Sequence, residues 1–130
     1  MRLRTSDLAA AMGGTLHGPD VTVDGATQDS REVRPGQLFV PVVAGRDGHH
    51  FIEAALSAGA AAYLTSGPNR GATAIEVPDT VAALQDAGRL ARGHLDGPVV
   101  GITGSVGKTS VKDLLGAVLR QRLVTAASER

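Results

Sequence analysis

Val99-Val100-Gly101-Ile102-Thr103-Gly104-Ser105-Val106-Gly107-Lys108-Thr109-Ser110 is the stretch that decides the fold. An apolar run ends at Thr103, glycines stand at 104 and 107, and Val111, Leu114, Leu115, Val118 and Leu119 then recur at helical spacing. The pattern predicts a buried parallel-type strand over 99–103, a tight turn, and a helix over 108–121 with those five residues facing inward. Glycines let the backbone curl so that successive N–H groups point at one anion, and the unpaired amides opening the helix add partial positive charge. Gly104, Ser105, Val106, Gly107, Lys108, Thr109 and Ser110 are therefore candidate ligands of ATP. Lys108 is the candidate catalytic cation, reaching the β/γ-phosphates, and the Thr109 hydroxyl is a candidate ligand of Mg2+. The strict Gly-x-x-x-x-Gly-Lys-Thr pattern is not met, because Ile102 occupies its first position. The competing reading is an ordinary Gly-rich turn with a solvated lysine; the strand before it and the helix after it weigh against that.

Upstream, apolar and turn signals alternate. Leu8 and Met12 predict a short helix capped by Thr5 or Ser6 and ended by Gly13-Gly14. Thr15–His17 and Val21–Val23 read as strands around the turn Gly18-Pro19-Asp20. Arg34-Pro35-Gly36-Gln37 is a turn with Pro second and Gly third, and Leu38–Val43 a buried strand with Pro41 at its end or edge. After the loop Gly45–Gly48 comes a helix over 50–58, with Phe51, Ala54, Ala55 and Ala58 on its inner stripe. Strands follow at 61–65 and 73–77, separated by the loop Ser66–Gly71. Asp79 caps a last helix, running to Leu95, whose stripe is Val81, Leu84, Ala87, Ala91 and Leu95. Alternating strands and helices predict an α/β fold. The Gly- and Pro-containing segment 93–98 marks a boundary between a first domain, 1–97, and a second beginning at 98. A lone strand–turn–helix cannot enclose a core, so residues 98–130 are expected to be the incomplete start of a further domain.

Composition narrows the function. Hydrophobic residues are 42% of the 130 but aromatics only 2%, so the core must be aliphatic. Thirteen basic and thirteen acidic residues cancel, which argues against nucleic acid or membrane as partners. No cysteine is present, which excludes disulfides, cysteine-ligated zinc and thiol catalysis. The N-terminus lacks the apolar run of a signal peptide, and no apolar stretch is long enough to cross a bilayer. A cytoplasmic monomer is expected.

Residues 100–112 resemble the phosphate loop of the Mur ligases, the ATP-dependent amino-acid-adding enzymes of peptidoglycan synthesis. Asp29-Ser30-Arg31-Glu32-Val33-Arg34-Pro35-Gly36-Gln37-Leu38-Phe39-Val40, Asp47-Gly48-His49-His50-Phe51-Ile52 and Ala58-Gly59-Ala60 are similar, in the same order, to that family's N-terminal uridine-nucleotide domain. The resemblance implies a small UDP-substrate domain followed by the first strand, phosphate loop and helix of an ATPase domain, with a third domain for the incoming residue. Gly104-Ser105 and Thr109–Lys112 point to members that join D-alanyl-D-alanine to a UDP-N-acetylmuramoyl-peptide. Members adding the third amino acid, usually Gly-Thr-Asn at the loop, are the alternative. The reaction implied is phosphorylation of the peptide's terminal carboxylate by ATP, then attack by the amine of D-alanyl-D-alanine. By the same resemblance Ser30, Arg31, Asp47 and His49 are candidate UDP-substrate ligands. Read as residues alone, Ser30-Arg31 is equally a polar turn and Asp47 equally a helix cap. The stretch 41–46 is a residue shorter than the family pattern, with Arg46 the residue that can stand in for its basic group. The family's central-domain glutamate, histidine and carbamylated lysine have no counterpart here, so the 130-residue piece alone is expected to be inactive. A non-catalytic nucleotide-binding module and a P-loop kinase or other NTPase are the competing classes. His49-His50 is not a metal pair, since adjacent residues do not share a helix face.

Overall fold

The computed structural model describes residues 1–43 and 47–128, and it divides into two compact units, Met1–Asp96 and Gly97–Arg130. In the first, β1 (Arg2–Arg4) pairs antiparallel with β3 (Thr22–Asp24). A second sheet has the order β2-β7-β6-β5-β4, built from β2 (Thr15–His17), β4 (Ala26–Thr27), β5 (Leu38–Phe39), β6 (Ala62–Thr65) and β7 (Ala74–Glu76). β4 to β7 run parallel, and β2 closes one edge antiparallel to β7. The class is α/β, as the alternation predicts.

Strand side chains point alternately to the two faces, and two cores follow. Leu38, Ala62, Leu64 and Ile75 pack on one face with Leu8, Ala9 and Met12 of α1 (Thr5–Met12) and Ala83 and Ala87 of α3 (Thr80–Gly93). Phe39, Tyr63 and Ala74 pack on the other with Ile52 and Ala55 of α2 (Ile52–Ser57), which continues a short 3-10 helix, Gly48–Phe51. Only the β5–β6 crossover carries a helix. β6 and β7 are joined by residues 66–73, shorter than the dozen or more usual for parallel neighbours.

Several expectations are corrected. The inner residues of the 52–57 helix are Ile52 and Ala55, whereas Phe51 and Ala54 are exposed. In α3 the inner line is Thr80, Ala83 and Ala87, while Val81 and Leu95 are exposed. The helical repeat allows both stripes; the seat each helix takes on the sheet selects one. α1 is capped from outside: Thr5 is engaged with Val21, its Oγ1 accepting from the Val21 amide at 3.0 Å, and Asp20 Oδ1 accepts from the Ser6 amide at 3.0 Å. Of the strand expected over 38–43, only Leu38–Phe39 form β5; Pro41 lies beyond its end, and Val43 makes an isolated antiparallel bridge with Asp47. β1 and β4, three and two residues long, carry too little pattern to be marked in the sequence.

Among the described residues, the second unit holds one helix, α4 (Lys108–Leu119). The strand expected over 99–103 is not formed: these residues pair with no strand among the described residues, and Val99 and Val100 are exposed. The apolar line expected to face inward is also open, with Val111 52%, Leu114 69% and Val118 56% exposed. A strand exists only as part of a ladder, and periodicity shows that a face is apolar without supplying what covers it.

Candidate functional site

The turn before α4 is built on two glycines. Gly104 has φ 146° and Gly107 φ 82°, regions that side-chain-bearing residues rarely adopt. Residues 105–106 bend between them, and Gly107 is the N-cap of α4 without any side-chain cap. Helices leave their first amides unpaired. Here the Lys108, Thr109 and Ser110 amides have no acceptor among the described residues, the first main-chain bond of the helix being Val111 N–H to Gly107 C=O at 2.9 Å. Lys108 folds back over the turn, and its ammonium donates to the Gly104 carbonyl. All of residues 103–110 are exposed, Val106 at 90%. The turn thus presents unpaired donors beside a cation, and among the described residues no carboxylate is bonded to Lys108. That donor set fits a chain of phosphates, and the exposed Thr109 and Ser110 hydroxyls are oxygen donors of the kind that suits magnesium.

In the first unit the remaining candidates lie where three parallel strands end, the edge at which open α/β sheets bind ligands. Ala26 and Thr27 of β4 and Gln28, Asp29 and Glu32 beyond it, with Leu84 of α3, line a cavity of about 340 Å³. Ser30 and Arg31 belong to the same turn. Arg31 is committed to Asp29: its Nε donates to Oδ1 at 2.9 Å, its Nη2 donates to Oδ2, and its main-chain amide donates to Oδ1 at 2.9 Å. The guanidinium beside Asp29 holds that carboxyl down to about 2. Ser30 is half-buried.

Asp47 caps the 3-10 helix, accepting from the His49 amide at 2.9 Å and lying 2.6 Å from His49 Nδ1. The His49 amide first, and then its ring, keep the Asp47 carboxyl below its ordinary range. His49 is buried, 8% exposed, and its Nε2 accepts from the Ser66 amide at 3.0 Å. Ser66 directly follows β6, so residues 47–49 are tied to the carboxyl ends of β5 and β6. The turn 34–37 also docks on the Ala58–Ala60 block: Gly36 N–H donates to the Gly59 carbonyl at 2.9 Å. A Cβ on Gly59, at φ 103°, would come within 3.2 Å of Pro35 Cα. The 34–37 and 58–60 blocks thus meet just before β5 and β6 begin, at the other end of those strands from the contact between His49 and Ser66. Ser66 has no local signal of its place at the site: it sits in a loop with no motif, and only the fold brings it to His49. Arg46 lies outside the described residues.

No family model matches the chain. The UDP-N-acetylmuramoyl-tripeptide–D-alanyl-D-alanine ligase of Escherichia coli K12 is 39% identical over 118 residues, covering 89% of this chain and 26% of that protein. A UDP-N-acetylmuramyl-tripeptide synthetase of Deinococcus radiodurans is 40% identical over 131 residues, covering 91% and 26%. Among solved structures, the UDP-N-acetylmuramoylalanyl-D-glutamyl-2,6-diaminopimelate–D-alanyl-D-alanyl ligase of Acinetobacter baumannii superposes with a TM-score of 0.81 at 25% identity, over 94% of this chain and 29% of that one. The MurF ligase of Thermotoga maritima in complex with ADP does so with a TM-score of 0.64 at 35% identity, over 77% and 24%. The chain spans about a quarter of the length of the curated relatives it matches. It belongs, over nearly its whole length, with the N-terminal portion of the Mur ligases, and is most like the members named for D-alanyl-D-alanine.

Proposed function

We propose that the chain is the N-terminal part of a cytoplasmic, monomeric ligase that uses ATP to add D-alanyl-D-alanine to a UDP-N-acetylmuramoyl-tripeptide in peptidoglycan synthesis. Residues 1–97 are its UDP-substrate domain, and 98–130 open its ATPase domain. The observation that carries this reading is the turn at 104–110: glycines in conformations that favour glycine, unpaired amides and a lysine over them, in a chain related to ATP-dependent ligases. When bound, ATP supplies the phosphoryl group that activates the peptide's terminal carboxylate. The amides of 104–110 hold its phosphate tail, Lys108 neutralises charge at the β/γ-phosphates, and Thr109 offers an oxygen to Mg2+. Ser30 and Arg31 line the uridine-nucleotide side, and Asp47 and His49 shape the same edge. A second reading, addition of the third amino acid, is favoured by the 40% identity to the Deinococcus tripeptide synthetase.

Calorimetric titration of the chain with UDP-N-acetylmuramoyl-tripeptide and, separately, Mg-ATP tests the assignment. Measurable binding of the UDP ligand with weak or no binding of ATP is expected, because α4 lacks a covered apolar face here. Tight ATP binding with no response to the UDP ligand would instead make this an NTPase of another class.

A further inference from the structure

Asp47, His49 and Ser66 form a chain of contacts that invites a hydrolytic reading. Asp47 Oδ1 lies 2.6 Å from His49 Nδ1, and His49 Nε2 lies 3.2 Å from Ser66 Oγ. The main chain argues otherwise. The Ser66 amide points at the same Nε2 from 3.0 Å, and an amide nitrogen can only donate. Nε2 must therefore carry the lone pair, which leaves the proton on Nδ1, donated to Asp47. That lone pair is directed at the main-chain N–H, so the geometry does not aim it at the hydroxyl as a base would be aimed.

We propose that Ser66 is a positioning residue of the substrate edge: its main-chain amide locks His49 as the neutral Nδ1–H tautomer and so joins the exit of β6 to the 3-10 helix that follows β5. The proposal rests on the reading that this edge holds the uridine nucleotide. Three further features show that the connection is built. Gly48 is pressed against residues 41–42, where a Cβ would stand 2.6 Å from the Val42 nitrogen. Thr65 Oγ1 accepts from the Gly67 amide at 3.0 Å and fixes the turn that aims the Ser66 amide. His49 is buried while Ser66 and Asp47 are exposed, so the ring acts as the buried link between two exposed loops. On this account His49 does not touch the substrate; it sets the spacing of the loops that do.

The two ring nitrogens can be separated by substitution. Glutamine can place its carbonyl oxygen near the position of Nε2 and still accept from Ser66, while asparagine reaches only as far as Nδ1 and keeps the Asp47 contact alone. Nitrogen-15 NMR of the 130-residue chain at neutral pH should show His49 protonated at Nδ1, with Nε2 unprotonated. An Nε2–H tautomer, or a ring averaging between the two, overturns the lock. Calorimetry with UDP-N-acetylmuramoyl-tripeptide should then find His49→Gln within about threefold of the parent and His49→Asn weaker by about tenfold, the scale of one lost hydrogen bond. Equal affinities for the two variants also overturn it. If the parent chain shows the Nδ1–H tautomer but binds no UDP ligand, the lock is supported and the nucleotide reading of the edge fails.

Discussion

Tyr63→Phe removes one oxygen from the first unit and should cost more than its size suggests. The ring is fully buried between Phe39, Ala74 and α2, and phenylalanine fills the same place. The hydroxyl reaches into the helix-free β6–β7 link, donating to Asn69 Oδ1 at 2.7 Å and accepting from the Arg70 amide at 2.7 Å, with the Gly71 carbonyl 3.0 Å away. A hydroxyl has one proton, so two of these three contacts are full bonds at any moment. At about 1 kcal/mol net for each, the loss is about 2 kcal/mol, trimmed where water can reach the exposed Asn69 and Arg70. In a unit of this size that is a fall of roughly 10 °C in Tm. With no tryptophan, and its single tyrosine the residue replaced, the chain is best followed by far-UV circular dichroism in urea. Asn69→Ala should cost less in the Tyr63→Phe background than in the parent, because the two residues share a bond. A stability change under about 0.5 kcal/mol would mean that the hydroxyl does not organise the link, and the account of this short crossover would fail with it.

Two glycines predict opposite outcomes. Gly48→Ala, whose Cβ would meet the Val42 nitrogen at 2.6 Å and the Val42 oxygen at 2.8 Å, should destabilise by about 1–3 kcal/mol; Gly88→Ala, in mid-α3 with nothing within 4 Å, should stabilise by about 0.5–1 kcal/mol. Urea midpoints that move in the same direction would contradict both. Asp20 has its carboxyl held far below the ordinary range, chiefly by Arg4 and then by the Ser6 amide. Its folded pKa lies below its unfolded one, so its contribution is present above about pH 4 and is lost as pH falls further. Asp20→Asn should flatten the acid side of the stability profile, and parallel profiles for parent and variant would refute this. In the full-length ligase, Lys108→Ala should weaken ATP use by about 1.5–3 kcal/mol; unchanged ATP affinity and turnover would remove Lys108 from the role proposed for it.

Much of the fold was legible because long-range order leaves short-range marks. Gly13 does end α1 in the left-handed region, Asp79 does cap α3 through the Val81 and Ala82 amides, and Pro35-Gly36 does turn with Gly36 at φ 86°. Which stripe a helix buries was less legible, because α2 and α3 each carry more small and aliphatic residues than one face needs. Neither was the exposure of Val111, Leu114 and Val118, since a pattern describes a face and burial requires a partner. At the site, residues 104–110 could be read in advance because glycine, lysine and hydroxyl positions are all local. The Asp47–His49–Ser66 connection could not, since its last member is 17 residues away.

The division of labour between apolar and polar core residues explains how so plain a sequence holds a shaped edge. Alanine, valine, leucine and isoleucine fix the layers but are indifferent to where loops lie, since dispersion has little direction. The direction comes from buried polar groups, each of which must find a partner. Among the described residues every buried side-chain nitrogen and oxygen has one, and the partners are loops. Thr73 Oγ1 donates to the Pro19 carbonyl at 2.9 Å, Thr80 Oγ1 to the Pro41 carbonyl, and Thr65 Oγ1 accepts from Gly67. Thr5 holds Val21, Tyr63 holds 69–71, and His49 holds Ser66. Two of these ties, Thr80 to Pro41 and His49 to Ser66, converge where β5 and β6 end. Left unpaired, a buried polar group costs about 1–3 kcal/mol, so a loop that drifted from its tie would strand a donor or an acceptor in the core. The edge is held in shape by that penalty rather than by the bulk of its core.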